Sequence, residues 1–199
     1  MKISIMRSAY NLLLLLSMPH IHNNPGEHDA TASAFIVRTD LGQPAIMLHR
    51  HKKLGKLLQF GGHVELDENP LQAIAHELLE ESGYTLDQLL LLQPKQRIMH
   101  LTGSTLHPTP ACFSTHNFPG LDHYHTDTSF AFVAQEPPKH AVGTGESKDI
   151  MTYTASQLET LSEKEIILNV KEIALFVLRQ CFVDWERVPA TSWQLDSNN

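Results

Sequence analysis

Glu77, Glu80 and Glu81 are the residues of this 199-residue chain whose spacing bears most directly on chemistry. On a helix they fall on one side of one turn, with Leu71, Ile74, Ala75, Leu78 and Ser82 on the opposite stripe. Such a placement is unfavourable by itself. Glu77 and Glu81 form a like-charge i,i+4 pair costing roughly 0.2–0.5 kcal/mol. All three sit near the helix C-terminus, where the macrodipole opposes each anion by about 0.3–1 kcal/mol. A solvated acidic face does not remove that penalty, but a cation does. A compact, oxygen-only donor set suits a hard divalent ion, Mg²⁺ or Mn²⁺, which also binds substrate phosphates.

Other groups are candidates for the same chemistry. Arg50, Lys52, Lys53 and Lys56 concentrate positive charge just before Gly61-Gly62, a loop able to meet a substrate phosphate or simply to remain solvated. His123-x-His125-x-Asp127 places three potential ligands on one face of an extended segment. That pattern reads either as a zinc site or as a polar strand end beside a pocket. Phe60 and Tyr84 are candidates for stacking on a base, or for the core.

These groups need elements to position them. Asn69 suits the N-cap of a helix, Pro70 its first turn and Gln72 a capping box, with Gly83 as the stop, so the pattern predicts a helix over 70–82. Residues 31–38, 45–49, 97–101, 111–115 and 129–134 read as strands, the first two as a hairpin-like pair. Apolar residues at helical spacing predict a last helix over 163–181. Strands around an internal helix, with a second helix closing the chain, indicate one α/β or α+β domain with helices on a mixed sheet. The expected division is an extension over 1–29, a domain over 30–184 and a loose tail over 185–199.

The run Gly62-x5-Glu68-x7-His76-Glu77-Leu78-x-Glu80-Glu81-x-Gly83-Tyr84 resembles the Nudix box, G-x5-E-x7-R-E-U-x-E-E-x-G-U, where U is aliphatic. It departs at His76, where the box has Arg, and at Tyr84. The resemblance implies an α/β/α sandwich, a mixed sheet with the box helix and a C-terminal helix packed on it. It implies Glu77, Glu80, Glu81 and the Gly62 loop as metal-binding positions for Mg²⁺, with Mn²⁺ as an alternative, and Glu68 as the partner of residue 76. The implied activity is hydrolysis of a nucleoside diphosphate linked to another group, or of a related diphosphate. Such a reaction needs charge neutralised on phosphoryl oxygens and a water positioned. Glu65, Asp127 and Glu146 are candidates for its general base. Glu146, in a late Gly-rich loop, joins the three box acids in the catalytic set, while Arg50, Lys52 and Glu65 form the expected substrate-binding set. Two rival functions remain open: a nucleotide-sensing domain without turnover, raised by His76, and an isopentenyl-diphosphate-type isomerase, raised by Cys112 and the histidines. In that isomerase the Cys precedes a degenerate box, whereas Cys112 follows an intact one.

Composition bounds the partners. Fifteen Lys+Arg against 22 Asp+Glu give a formal charge of −7, which argues against a nucleic-acid polymer and leaves a small nucleotide or diphosphate as the expected partner. Hydrophobic residues at 42% and charged residues at 19% exclude a disordered or fibrous chain. Cys112 and Cys181 form no disulfide framework and read as reduced core thiols of a cytoplasmic protein, with a homodimer possible. The leucine run 12–16 after Lys2 and Arg7 is shorter than a secretory core and lacks a small-residue cleavage site. It reads as a short amphipathic helix or as sequence upstream of a start at Met18, and no membrane span is expected.

Overall fold

The computed structural model describes residue 21, residues 24–117 and residues 123–193. The N-terminal helix expectation, on residues 1–20, lies outside the described residues.

Two long strands form the spine. β1 (Glu27–Arg38) and β7 (His123–Ala134) run parallel, in register from Glu27 opposite His123 to Arg38 opposite Ala134. Each exchanges its outer neighbour halfway along. Near its start β1 pairs with β4 (Phe60–His63), and near its end with β2 (Ala45–Arg50). β7 pairs first with β6 (Cys112–Asn117) and then with β5 (Leu89–Gln93). β3 (Leu57–Leu58) and β8 (Ile150–Tyr153) extend the β2 side, and β9 (Glu186–Pro189) extends the β5 side. The sheet is mixed, as the sequence predicts.

Its two ends differ chemically. In the second halves of β1 and β7 both faces are buried, so the strands read as continuous apolar runs. Ala34, Ile36, Phe130 and Phe132 face one core, shared with Leu71, Ile74 and Leu78 of the box helix. Phe35, Val37, Ala131 and Val133 face the other, shared with Val170, Ala174, Val177 and Cys181. This is an α/β/α sandwich. Complete burial of Leu71, Ile74 and Leu78 holds the box helix to the sheet at about 1.5–3 kcal/mol each.

The box helix begins as its sequence indicates. In α1 (Pro70–Glu77) the Asn69 side chain accepts from the Leu71 and Gln72 amides, and Gln72 Oε1 accepts from the Asn69 amide at 2.8 Å. Its last part is not α-helical. Leu78–Ser82 forms a wider π turn, closed by the Ser82 hydroxyl donating to the Leu78 carbonyl and by Gly83 at φ 75°. After α2 (Ala155–Thr160), the closing helix is also shorter than the predicted 163–181: α3 (Leu168–Phe176) runs into a second π turn, Val177–Cys181.

Three expectations are corrected. Residues 97–101 are irregular and largely exposed, whereas the neighbouring Leu89–Gln93 forms β5, its leucines covered by β7 and β9. The extension drawn over 1–29 gives Glu27, His28 and Asp29 to β1. The tail is not loose after Trp185, because β9 pairs along Leu90–Gln93 and Ala190 is buried. Of the two thiols, Cys181 is buried and Cys112 half-buried, both free. No helix among the described residues is long and apolar enough to cross a membrane.

Ending the chain at Asp184 removes the β9 ladder and uncovers Leu92. The melting temperature is expected to fall by about 4 °C or more, since 1 kcal/mol shifts a domain of this size by roughly 2–4 °C. An unchanged melting temperature, read by circular dichroism, would show that β9 contributes nothing to stability.

Candidate active site

The box acids are brought together by backbone that only glycine allows. Gly61 has φ 140°, and a Cβ there would lie 2.1 Å from the Ala32 carbonyl oxygen. A Cβ on Gly62 would lie 2.0 Å from Glu77 Oε1, so the missing side chain is the space the carboxylate occupies. The Gly61 amide donates to Glu81 Oε2 at 2.8 Å. His76 stands where the box has Arg and still bridges acids, with Nδ1 3.0 Å from Glu68 Oε1 and Nε2 3.7 Å from Glu77 Oε1.

The three glutamates do not share one solvated face. Glu80 is exposed, while Glu81 is only 8% exposed. The wide turn accounts for this, because π turns carry more residues per turn than an α-helix and alter the direction of the side chains that follow. Burial pushes the Glu81 carboxyl up to about 8, opposed by the Gly61 amide and reinforced by the charges of Glu77, Glu146 and Glu80. Burial also raises Glu77, with Glu80, Glu146 and Glu68 acting in the same direction and His76 against it. His49 Nδ1 lies 4.0 Å from Glu81 Oε1, yet burial and the neighbouring His51 depress His49 to about 4. Burial thus favours the uncharged form of both groups, so their approach is not built as an ion pair.

The late loop completes the acid cluster. The Gly143 amide donates to the Glu80 carbonyl at 2.7 Å, and Glu146 acts electrostatically on both Glu77 and Glu81. Arg50 and Lys52 hold this loop. Arg50 Nε donates to Asp149 Oδ2 at 3.0 Å, and Lys52 Nζ donates to the Gly145 carbonyl. Neither lines the neighbouring cavity, whereas Lys56 does. Glu65 is exposed and also outside that lining.

The cavity, about 740 Å³, lies between the first halves of β1 and β7 and the start of α3. Its walls include Gly61, Gly62, His63 and Glu81 from the box, with Lys56 and several further histidines, and Asp127. Asp127 accepts from the hydroxyls of Thr31, Ser33 and Ser129 at 2.9, 2.8 and 2.6 Å. Phe60 and Tyr84 are fully buried and serve the core. His49 and His63 were not singled out in the sequence. No local pattern marks them, since β2 is apolar and buried along almost its whole length and β4 carries two glycines.

The residue types fit a divalent cation. The donors are carboxylates, and Glu77, Glu80 and Glu146 all raise the affinity of Glu81 for positive charge.

Comparison with known proteins agrees. The NUDIX domain pattern matches residues 27–168, and the chain belongs to that family, as an enzyme of the Nudix pyrophosphate-hydrolase class. Nudix hydrolases generally use divalent metal ions. Among solved structures, a NUDIX-family hydrolase from Clostridium perfringens is 28% identical, with a TM-score of 0.61, covering 75% of this chain and 95% of its own. An Ap4A hydrolase from C. elegans is 15% identical, with a TM-score of 0.54 and coverage of 73% and 92%. The NUDIX domain of Shewanella oneidensis NrtR, complexed with ADP ribose, is 11% identical, with a TM-score of 0.54 and coverage of 82% and 93%. The last two share the fold. No curated protein matches the chain significantly.

Because folding raises Glu81 above its ordinary value of 4.5, its protonated form is favoured in the native state. That contribution is complete below about pH 4.5 and is lost as pH rises through about 8. In metal-free protein, Glu81→Gln is expected to gain stability relative to wild type as pH rises from about 4.5 to about 8, at up to about 1.4 kcal/mol per unit, and to level off above that. Urea unfolding in chelator measures this, and a pH-independent difference would contradict the burial of an ionisable Glu81.

Proposed function

We propose that the chain hydrolyses a nucleoside diphosphate linked to another group, or a related diphosphate, with Mg²⁺ or Mn²⁺ held by Glu77, Glu80, Glu81 and the Gly62 loop. The observation that carries this reading is the opening of the acid cluster onto the cavity, through Glu81, Gly61 and Gly62 in its wall. A volume of about 740 Å³ suits a nucleotide-sized ligand. Ap4A and ADP ribose, named for the two relatives, belong to the proposed class.

A bound divalent ion supplies neutralisation of phosphoryl oxygens and a water of lowered pKa. The chain's own residues do the rest. Lys56 offers positive charge at the cavity wall, and His49 and His51, kept largely neutral by burial, offer hydrogen bonds. Arg50 and Lys52 act at one remove by holding the loop that carries Glu146, so they position rather than bind. Glu146 is the general base in this reading. It acts electrostatically on both Glu77 and Glu81, whereas Glu65 is not among the charges acting on either and Asp127 is already engaged by three hydroxyls.

A panel of nucleoside diphosphate derivatives, assayed for product with Mg²⁺ or Mn²⁺ beside a melting-shift measurement, tests the proposal. Metal-dependent product is expected, and Glu80→Gln or Glu81→Gln should lower kcat by about 100-fold or more while the fold is kept. Ligand-dependent stabilisation without product across the panel would instead identify a binding domain.

A further inference from the structure

The partner exchange along the sheet gathers histidines around one buried carboxylate, beside the same cavity. β1 places Asp29 directly across from His125 of β7, and β7 places His125 across from His116 of β6. On the other side, β4 sets His63 across from Thr31, two residues along β1 from Asp29. Residues 29 and 31 share a face, as do 123, 125 and 127, so four strands direct polar side chains to one spot.

His125 is the hub of the cluster. Its ring lies edge-on to three others, with centroids 5.0 Å from His63, 5.4 Å from His123 and 5.4 Å from His116. Asp29 is fully buried, and His125 is 6% exposed. One ligand atom from each of Asp29, His63 and His125 lies within 4.8 Å of the others. Among the described residues no other Asp, Glu, His or Cys group of three or more meets that condition, the box glutamates included. The sequence had grouped His123, His125 and Asp127. The fold keeps His123 and His125 together but turns Asp127 to three hydroxyls, while His125 joins residues from two other strands.

We propose that Asp29, His63 and His125 form a second metal site, distinct from the box glutamates, that takes Zn²⁺. Two imidazoles and one carboxylate form a borderline donor set, suited to zinc and not to Mg²⁺, which favours oxygen ligands. With ligand distances near 2.0–2.1 Å a tetrahedral zinc needs donors about 3.3 Å apart, so binding draws these three side chains inward. His63 and His125 both line the cavity, which leaves the fourth position facing it. His123 acts as a positioning residue. Its Nε2 lies 3.1 Å from Asp29 Oδ2, to which the Ile21 amide also donates at 3.2 Å, and these contacts aim the carboxylate. Zinc here ties β1, β4 and β7 together at the cavity wall.

The inference is independent of the hydrolytic reading, and its test needs no turnover. Chelator-stripped full-length protein is titrated with Zn²⁺, and separately with Co²⁺, in excess Mg²⁺. Bound metal is read by equilibrium dialysis and by the visible absorption of tetrahedral Co²⁺. One Zn²⁺ per chain and a raised melting temperature are expected, both retained by the double variant Glu80→Gln/Glu81→Gln. His63→Ala and His125→Ala should each weaken zinc binding by at least tenfold, and His123→Gln by about 10–100-fold. Asp29→Asn should weaken it by at least tenfold as well, and should that variant fail to fold, His63→Gln on the cavity wall carries the same test. Zinc binding that survives loss of His63 and His125, or that disappears with the box glutamates, overturns the proposal, as does the absence of bound zinc in excess Mg²⁺.

Discussion

The parallel ladder between β1 and β7 constrains the rest of the molecule. Parallel strands cannot be joined by a tight turn and require a long crossover. In this chain the crossover carries β2 to β6 and the whole box, so the acid-bearing helix is part of the connection the ladder demands. Packing α1 over one face of the ladder and α3 over the other fixes where the box ends. The cavity opens where β1 and β7 have exchanged apolar residues for polar ones.

Within that frame the site works against local stability. A straight, solvent-facing helix end would spread its carboxylates into water. The π turn and the Gly61 amide instead hold Glu81 in a poorly hydrated place beside other acids. The stabilisation comes from elsewhere: from the apolar stripe Leu71, Ile74 and Leu78, and from the capping box at the other end of the helix. His76 shows how much latitude the arrangement has, for it keeps contact with Glu68 and Glu77 without an arginine's fork.

Much of this was legible in the residues. Caps, stripe and box spacing are local, and local patterns survive folding when tertiary packing agrees with them. Leu89–Gln93 was not legible, because a short leucine run has no period that distinguishes strand from helix. Residues 97–101 imitated a strand but have no ladder to join. The π turn was equally hidden, since helical spacing predicts an unbroken α-helix through Ser82. The histidine cluster was half visible. Alternation put His123 and His125 on one face, but Asp29 and His63 reach that face only through the register of β1 with β7 and β4, which no single segment encodes.

The same ladder sets an order of events during synthesis. Thr31 and its partner Asp127 are 96 residues apart in sequence, and every pair along the two strands shares that spacing. The apolar half of β1, Ala34 to Val37, therefore leaves the ribosome long before β7 exists to cover its edge. Contacts of such separation form late, because chain closure must precede any gain from them. Until then β1 can pair only with β2 and β4, and its other edge stays open to neighbouring chains. A nascent chain halted before residue 123 would thus present an unfinished sheet, a natural substrate for holding chaperones.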